Sequence, residues 1–332
     1  MKTFEQASYL SQVRRLRQLG KAALTRYTIR AQSIHFINHG ENTTFRITAI
    51  NKKQFLLRIH RDDYHTKPAI KEELSWLAHL AKDGTLLLPK PVRSKHGNLI
   101  ERLATAGVPA GRFCCVFEWV DGRFFGKSPT LAQLRALGQV IGKIQARTPA
   151  SGVTHRRYWH ADGLLGLNAK FGSIESLAGV SPKNQKTISK ARRLVWNKLR
   201  RFEKEFPRRL GLIHADLHFG NVLGAGENIG VIDFDDCGFG FHAYDLAVSL
   251  SSVENALGPK NMEKFPKFKA ALLSGYTHEA RWDADDEMIL PYLMTARKLV
   301  MLGWLNSRSD NPRLKKRLAG AVKRALQHLN TI

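Results

Sequence analysis

Between Leu212 and Gly238 the chain reads LIHADLHFGNVLGAGENIGVIDFDDCG, and this stretch limits the folds available more than any other feature. His214, Asp216 and Asn221 stand in the spacing H-x-D-x-x-x-x-N; after a Gly-containing turn an apolar run, Ile229 to Ile232, ends on Asp233. The pattern predicts two short strands joined by a tight turn, each delivering a carboxylate at one end. Asp216 is then available to accept a hydroxyl proton, while Asn221 and Asp233 offer oxygen to a hard cation such as magnesium. Placement of this kind, with positive charge around the phosphates, is what phosphoryl transfer from ATP requires of a protein. Two other accounts of the same residues stay open. A buried His bonded to a neighbouring carboxylate is common in cores, and His214, Asp216 and His218 alternate as metal ligands would on one face of a strand, with a later His completing a two-His-one-carboxylate iron site. Neither account uses Asn221 or Asp233.

HADLHFGN followed by DFD resembles the catalytic and metal-binding loops of the aminoglycoside phosphotransferase, choline kinase and homoserine kinase superfamily, small-molecule relatives of the protein kinases. The resemblance implies an α+β, protein-kinase-like two-lobed fold, with a small antiparallel β-sheet N-lobe and a larger, mainly helical C-lobe. It implies ATP and Mg2+ as cofactors and a small-molecule hydroxyl as acceptor. Asp216 becomes the catalytic base, His214 the residue that orders its loop, and Asn221 with Asp233 the metal ligands. Where protein kinases have Gly after Asp-Phe, this chain has Asp235, which implies a site formed without a switching loop.

Three apolar runs near the N-terminus have strand character: Ser33 to Ile37, Thr44 to Ala49 and Gln54 to Ile59. In the resemblance, the connection Asn38 to Thr43, with Gly40 and Asn42, folds over the ATP phosphates; an ordinary hairpin accounts for it equally well. On FLLRIHR the family places its phosphate-anchoring cation, usually Lys, where this chain has Arg58. A guanidinium can grip two phosphate oxygens at once, but its plane and length differ from an ammonium, so nucleotide geometry must adjust. In the helix expected over Ala69 to Leu80, Glu73 matches the glutamate that pairs with this cation, and Glu72 is adjacent. The run Phe113 to Trp119 empties into Val120-Asp121-Gly122, as an adenine-binding hinge would, with the backbone of Glu118 and Val120 pairing the base.

The organisation expected is a helical lead-in over residues 1–28, an N-lobe over 29–118 and a C-lobe over 119–332, with 332 residues enough for two lobes and a cleft. The lead-in mixes Arg14, Arg15, Arg17, Lys21 and Arg26 with leucines, and a packed amphipathic helix is preferred to a transit peptide. Ser128-Pro129 signals a helix start, and Asp245 matches the acid that braces the catalytic loop from below. Trp159, His160, Asp162 and Gly163 to Gly166 are acceptor-pocket candidates by analogy alone. The acids from Asp283 to Glu287 read as a capped helix start.

A net charge of +25 raises the question of nucleic acid as a partner. Eleven Lys or Arg lie between Ser181 and Leu210, but Ile188, Ala191, Val195, Leu199 and Phe202 recur among them at helical spacing. The cations therefore sit on the solvated face of an amphipathic helix, and nucleic-acid binding is not expected. Three cysteines, two of them adjacent, form no disulfide framework. With no signal-peptide core and no apolar run read as long enough to span a bilayer, no membrane partner is expected, and a cytoplasmic location is. The oligomeric state is left open. Two alternatives to the small-molecule kinase remain, a stress-response type of Ser/Thr protein kinase and a nucleotide-binding pseudokinase, the latter because of Arg58.

Overall fold

In the computed structural model, residues 3–82, 84–126, 129–147, 155–167, 169, 174–225, 228–309 and 312–329 are described. The chain divides into two units, residues 1–121 and 122–332. The first contains helix α1 (Tyr9–Leu24), strands β1 (Ala31–His39), β2 (Asn42–Ala49) and β3 (Gln54–His60), helix α2 (Lys67–Leu80), and strands β4 (Pro91–Val92), β5 (Glu101–Thr105) and β6 (Val108–Glu118). Its antiparallel sheet runs β1-β2-β3-β6-β4, with β5 also paired to β6.

The lead-in is part of this unit. Leu16, Leu19, Ala23 and Leu24 form one helical stripe, and they share a core with Phe45, Ile47, Leu57, Ile59, Cys114 and Val116 of the sheet. α1 lies so close to β3 that a Cβ on Gly20 would fall 2.8 Å from the Leu57 side chain. Leu57 and Ile59 take that face of β3, so Arg58 and His60, which alternate with them, point to the other. All four are buried. Arg58 is thus on an inner strand between β2 and β6, not on an edge.

The second unit contains β7 (Arg123–Phe124), α3 (Leu131–Ala146), β8 (Arg157–Trp159), α4 (Ala161–Leu165), α5 (Pro182–Glu205), β9 (Leu210–Ile213), β10 (Val222–Ala225), β11 (Asn228–Val231), β12 (Gly238–Phe241), α6 (His242–Leu257), α7 (Phe265–Tyr276), α8 (Ala284–Asn306) and α9 (Pro312–Leu329). It is mainly helical, with two small sheets, β11-β10-β7 and β8-β12-β9. Ser128, read from sequence as a helix cap, lies outside the described residues; α3 begins at Leu131, capped by Thr130 in a reciprocal arrangement with Gln133. The basic segment forms α5 as its periodicity predicts, with Ile188, Val195, Leu199 and Phe202 buried.

Two sequence expectations need correction. The strand leading into the H-x-D motif does not pair with the strand leading into Asp233. β9 pairs with β12, and β11 pairs with β10, a strand that follows Asn221 directly. Four residues of β10 were hidden because Val222-Leu223-Gly224-Ala225 lacks polar alternation, while the turn at 226 and 227 lies outside the described residues. Secondly, α8 is long and apolar enough by composition to cross a membrane, although 61% of its apolar window is buried within the protein. Its burial identifies it as the central packing helix of this unit, in contact with α5, α6 and α9.

At the start of α6, burial and the nearby Arg209 bring the His242 imidazole down to about 4. The unfolded chain, with its ordinary value near 6.5, takes up this proton first, so the stabilisation is complete above pH ~6.5 and is lost as pH falls towards ~4. The slope between these values is about 1.4 kcal/mol per pH unit. His242→Gln removes this contribution, so the gap in urea midpoint between wild type and variant should shrink from pH 7 to pH 5; a constant gap would contradict the assignment.

Candidate active site

In the first unit, Arg58 Nη2 lies 2.8 Å from Glu73 Oε1, and the two side chains are 5% and 0% exposed. Glu73 sits on the buried face of α2 while Glu72 is only half-buried, which settles which of the adjacent acids meets the strand cation. The guanidinium also stacks over Phe117, 4.8 Å from the ring centre. Pairing offsets the cost of burying either charge, so cutting one partner away is severe. Glu73→Ala should destabilise the fold by roughly 3–5 kcal/mol in urea titration, more than Glu73→Gln.

The β1–β2 connection is tighter than the sequence suggested. The strands run to His39 and resume at Asn42, leaving Gly40 and Glu41 as a two-residue link, so most of Asn38 to Thr43 is strand. Gly40 N–H donates to the Asn42 carbonyl at 2.9 Å. Ordinary contact distance, 3.7 Å to Asn38 Nδ2, surrounds a Cβ built on Gly40, so the backbone does not itself require glycine there. Sequence reasoning missed what holds the hairpin: the His39 ring contacts Thr43 Oγ1 at 2.6 Å and Gln12 Oε1 of α1 at 3.1 Å. Glu118 N–H and Trp119 N–H are taken by the carbonyls of Lys90 and Gln54; among the described residues no backbone carbonyl receives the Val120 N–H.

In the second unit the motif residues converge. Asn221 directly precedes β10 and Asp233 follows β11 by two residues, and the pairing Val222↔Val231 puts both at the same end of the hairpin. Ile232 N–H donates to the Asn221 carbonyl at 3.0 Å, closing that end. The Asn221 amide nitrogen donates to the Asp216 carbonyl oxygen at 3.0 Å and to Asp216 Oδ2 at 3.2 Å. Its own Oδ1 is therefore directed away from Asp216. An amide oxygen and a carboxylate at one hairpin end are hard donors of the type magnesium takes, so Asn221 and Asp233 fit that ion.

Asp216 stands on a loop shaped by α6. Asp245, fully buried, accepts from His214 N–H at 3.1 Å, Ala215 N–H at 2.7 Å and Gln145 Nε2 at 3.2 Å. One and two turns further along the same helical face, Ser249 Oγ donates to the Leu217 carbonyl at 2.9 Å and Ser252 Oγ receives Phe219 N–H at 3.4 Å. Asp245 was legible in the sequence; the two serines behind it were not. Ala215 and Asp233 both have left-handed backbones, φ +68 and +65, a cost that non-glycine residues bear where surrounding bonds impose it.

His214 orders this loop and is not a metal ligand. Its Nδ1 accepts from Asp216 N–H at 3.3 Å, so Nε2 carries the hydrogen, which goes to the Ile232 carbonyl at 3.1 Å. Burial lowers its pKa to about 4, keeping the ring neutral, and the ring packs 4.4 Å from Phe234. With both nitrogens engaged, the two-His-one-carboxylate account fails.

The segment after Asp233 is tied down. Arg156 Nε donates to the Cys237 carbonyl at 2.8 Å and its Nη2 to the Asp235 carbonyl; Arg157 pairs with Asp236 at 2.6 Å. Trp159 Nε1 donates to the Asp236 carbonyl at 2.7 Å. Of the acceptor-pocket candidates, Trp159 therefore braces this loop, His160 caps α4, and Asp162 is held by Trp196 and Arg200. The Asp283 cluster is a capped helix start, as its sequence implied, and it is paired with Arg209. One charged partner of Asp216 escaped the sequence altogether: Arg297 Nη2 of α8 lies 2.7 Å from Asp216 Oδ1. Burial opposes the charge on Asp216, yet Arg297 and then His218 hold its carboxyl well below the usual range. Among the described residues no cluster of three His, Cys, Asp or Glu forms a separate metal site.

Comparison with known proteins places this geometry. Residues 33–286 match the model of the phosphotransferase enzyme family. Amicoumacin kinase of Bacillus subtilis is 25% identical over 297 residues, 87% of this chain and 84% of its own length. Homoserine kinase of Rhodopseudomonas palustris is 29% identical over 283 residues, covering 83% and 77% of the two chains. Among solved structures, a microcompartment-associated aminopropanol kinase superposes with a TM-score of 0.77 at 29% identity, covering 95% of this chain and 98% of that one. A spectinomycin phosphotransferase, at 17% identity and a TM-score of 0.59 over 94% and 98%, shares the protein-kinase-like α+β fold. With a family match across well over half its length, the chain belongs to the phosphotransferase enzyme family.

Proposed function

We propose that this protein transfers the γ-phosphoryl group of ATP to the hydroxyl of a small molecule, with Asp216 as general base. The observation that carries the reading is the placement of the Asp216 carboxylate: 2.7 Å from the Arg297 guanidinium, hydrogen-bonded to Asn221, and set on a loop that Asp245 holds by two backbone bonds. The acceptor hydroxyl donates to this carboxylate, which orients the oxygen and takes its proton as the bond to phosphorus forms. Asn221 and Asp233 hold magnesium, which when bound neutralises phosphate charge. Arg58, kept in place by Glu73, binds phosphate oxygens; the N–H of Val120 and the backbone at Glu118 pair the adenine; and the hairpin at Gly40 and Asn42 covers the phosphates. ATP chemistry of this kind belongs in the cytoplasm.

For the acceptor, we infer a short amino alcohol or hydroxy amino acid. Support comes from two 29% identical relatives, an aminopropanol kinase and a homoserine kinase, whose matches cover 95% and 83% of this chain. The test is transfer of label from γ-labelled ATP, with Mg2+, to aminopropanol, homoserine and choline, alongside a desalted extract. Label in one of these compounds is the expected result. Label only in protein would move the activity to Ser/Thr phosphorylation, and ATP binding without any transfer would leave a pseudokinase.

A further inference from the structure

We propose that Arg297 is the positioning residue that sets the direction from which Asp216 meets the acceptor hydroxyl. The inference rests on Asp216 being the base. A carboxylate on its own turns easily about the Cβ–Cγ bond, because that torsion has broad, two-fold preferences. Here the two oxygens are held separately. Arg297 donates to Oδ1 at 2.7 Å, while Asn221 donates to Oδ2 at 3.2 Å, and the His218 ring lies 3.4 Å from the same Oδ2. The donors come from different parts of the unit, since Arg297 sits on α8, 81 residues further along the chain.

Arg297 has little freedom of its own. Its side chain is 12% exposed, and it projects from the helix that forms the middle of the helical packing. Next to it, Lys298 pairs with Glu254 of α6 at 2.5 Å. α6 carries Asp245, which shapes the loop, and α8 carries Arg297, which turns the base; the Lys298–Glu254 pair fixes one helix against the other. A planar guanidinium imposes direction in a way that a point charge does not. Position 297 also lies beyond the residues matched by the family model, 33–286.

The role needs no proton from Arg297. In transfer the acceptor O–H bond breaks, its proton passes to a lone pair left on Asp216, the acceptor oxygen bonds to the γ-phosphorus, and the bond to ADP breaks with its electron pair leaving on ADP. Arg297 stays protonated throughout. Its contribution is the angle of the receiving lone pair, and misplacement of about 1 Å can cost on the order of 10²-fold in rate.

The test uses the full chain with Arg297→Lys and Arg297→Ala, crystallised with AMP-PNP and Mg2+ and assayed with whichever acceptor wild type phosphorylates. In Arg297→Ala, kcat should fall about 10²-fold with KM for ATP within about twofold of wild type, and added guanidinium should restore part of the rate. Arg297→Lys should fall between the two. In the crystals, Asp216 should leave its wild-type rotamer in Arg297→Ala. If Arg297→Ala does not fold, Arg297→Lys carries the comparison, because it keeps the charge while losing the planar fork and its reach. An unchanged Asp216 rotamer, or an unchanged kcat, in Arg297→Ala would overturn the proposal. Should wild type transfer nothing, the phosphotransferase reading fails by that result alone, and the Asp216 rotamer in the variant crystals still decides the role of Arg297.

Discussion

Asp216→Asn should lower transfer by roughly 10²–10⁴-fold while nucleotide affinity stays within about threefold of wild type. Asparagine is nearly isosteric, so the loop held by Asp245 keeps its shape, and the backbone carbonyl of residue 216 still receives the Asn221 amide. What is lost is the acceptor for the hydroxyl proton. The substitution also removes the negative partner of Arg297, leaving a guanidinium of 12% exposure beside a neutral amide. A modest loss of stability should therefore accompany the loss of activity. The two separate cleanly, because a thermal midpoint measured with and without nucleotide reports folding and binding, and single-turnover transfer reports the chemistry. If Asp216→Asn turns over at more than about a tenth of the wild-type rate, Asp216 is not the base.

The fold was legible wherever the sequence carried a period or a punctuation mark. α5 announced itself through Ile188, Val195 and Leu199, and the first three strands were placed to within a few residues of their ends. Motif spacing singled out Asp216, Asn221 and Asp233, and the hairpin β10–β11 supplies a physical reason for the spacing of the last two: residues before and after a tight pair of strands meet at one end. β10 itself was not legible, because four small and apolar residues carry neither alternation nor a turn signal. The partners of the motif were hidden for a different reason. Arg297 and Ser249 reach the loop around Asp216 from α8 and α6, Gln145 acts on it only through Asp245, and nothing in local sequence separates a cation that meets Asp216 from one that meets water. The charge of +25 compounded this, since Arg297 is one of 53 Lys and Arg. In the first unit, the sequence favoured Glu73 with Glu72 beside it, and the burial of one face of α2 separates the two.

Asp245→Ala should cost roughly 3–5 kcal/mol of stability and also suppress transfer, although Asp245 touches neither base nor acceptor. Its two oxygens satisfy the N–H groups of His214 and Ala215 and the amide of Gln145 in a fully buried setting. Without them, two backbone donors are left in a site that water reaches poorly, each at about 1–3 kcal/mol. Ala215 then has less reason to keep φ at +68, a region alanine disfavours, and its relaxation swings the next residue, Asp216, away from Asn221 and Arg297. Asp245→Asn is the informative companion. One oxygen still accepts, while the new NH2 group faces an N–H in place of a carboxylate oxygen, so it should lose a smaller share of stability and retain part of the activity. Urea titration with transfer assays on both variants checks the ordering wild type, Asp245→Asn, Asp245→Ala. If Asp245→Ala matched wild type within about 1 kcal/mol, the catalytic loop would have to owe its shape to the serines on the same face of α6, Ser249 and Ser252, and the brace would be shared along the helix rather than concentrated at its first turn.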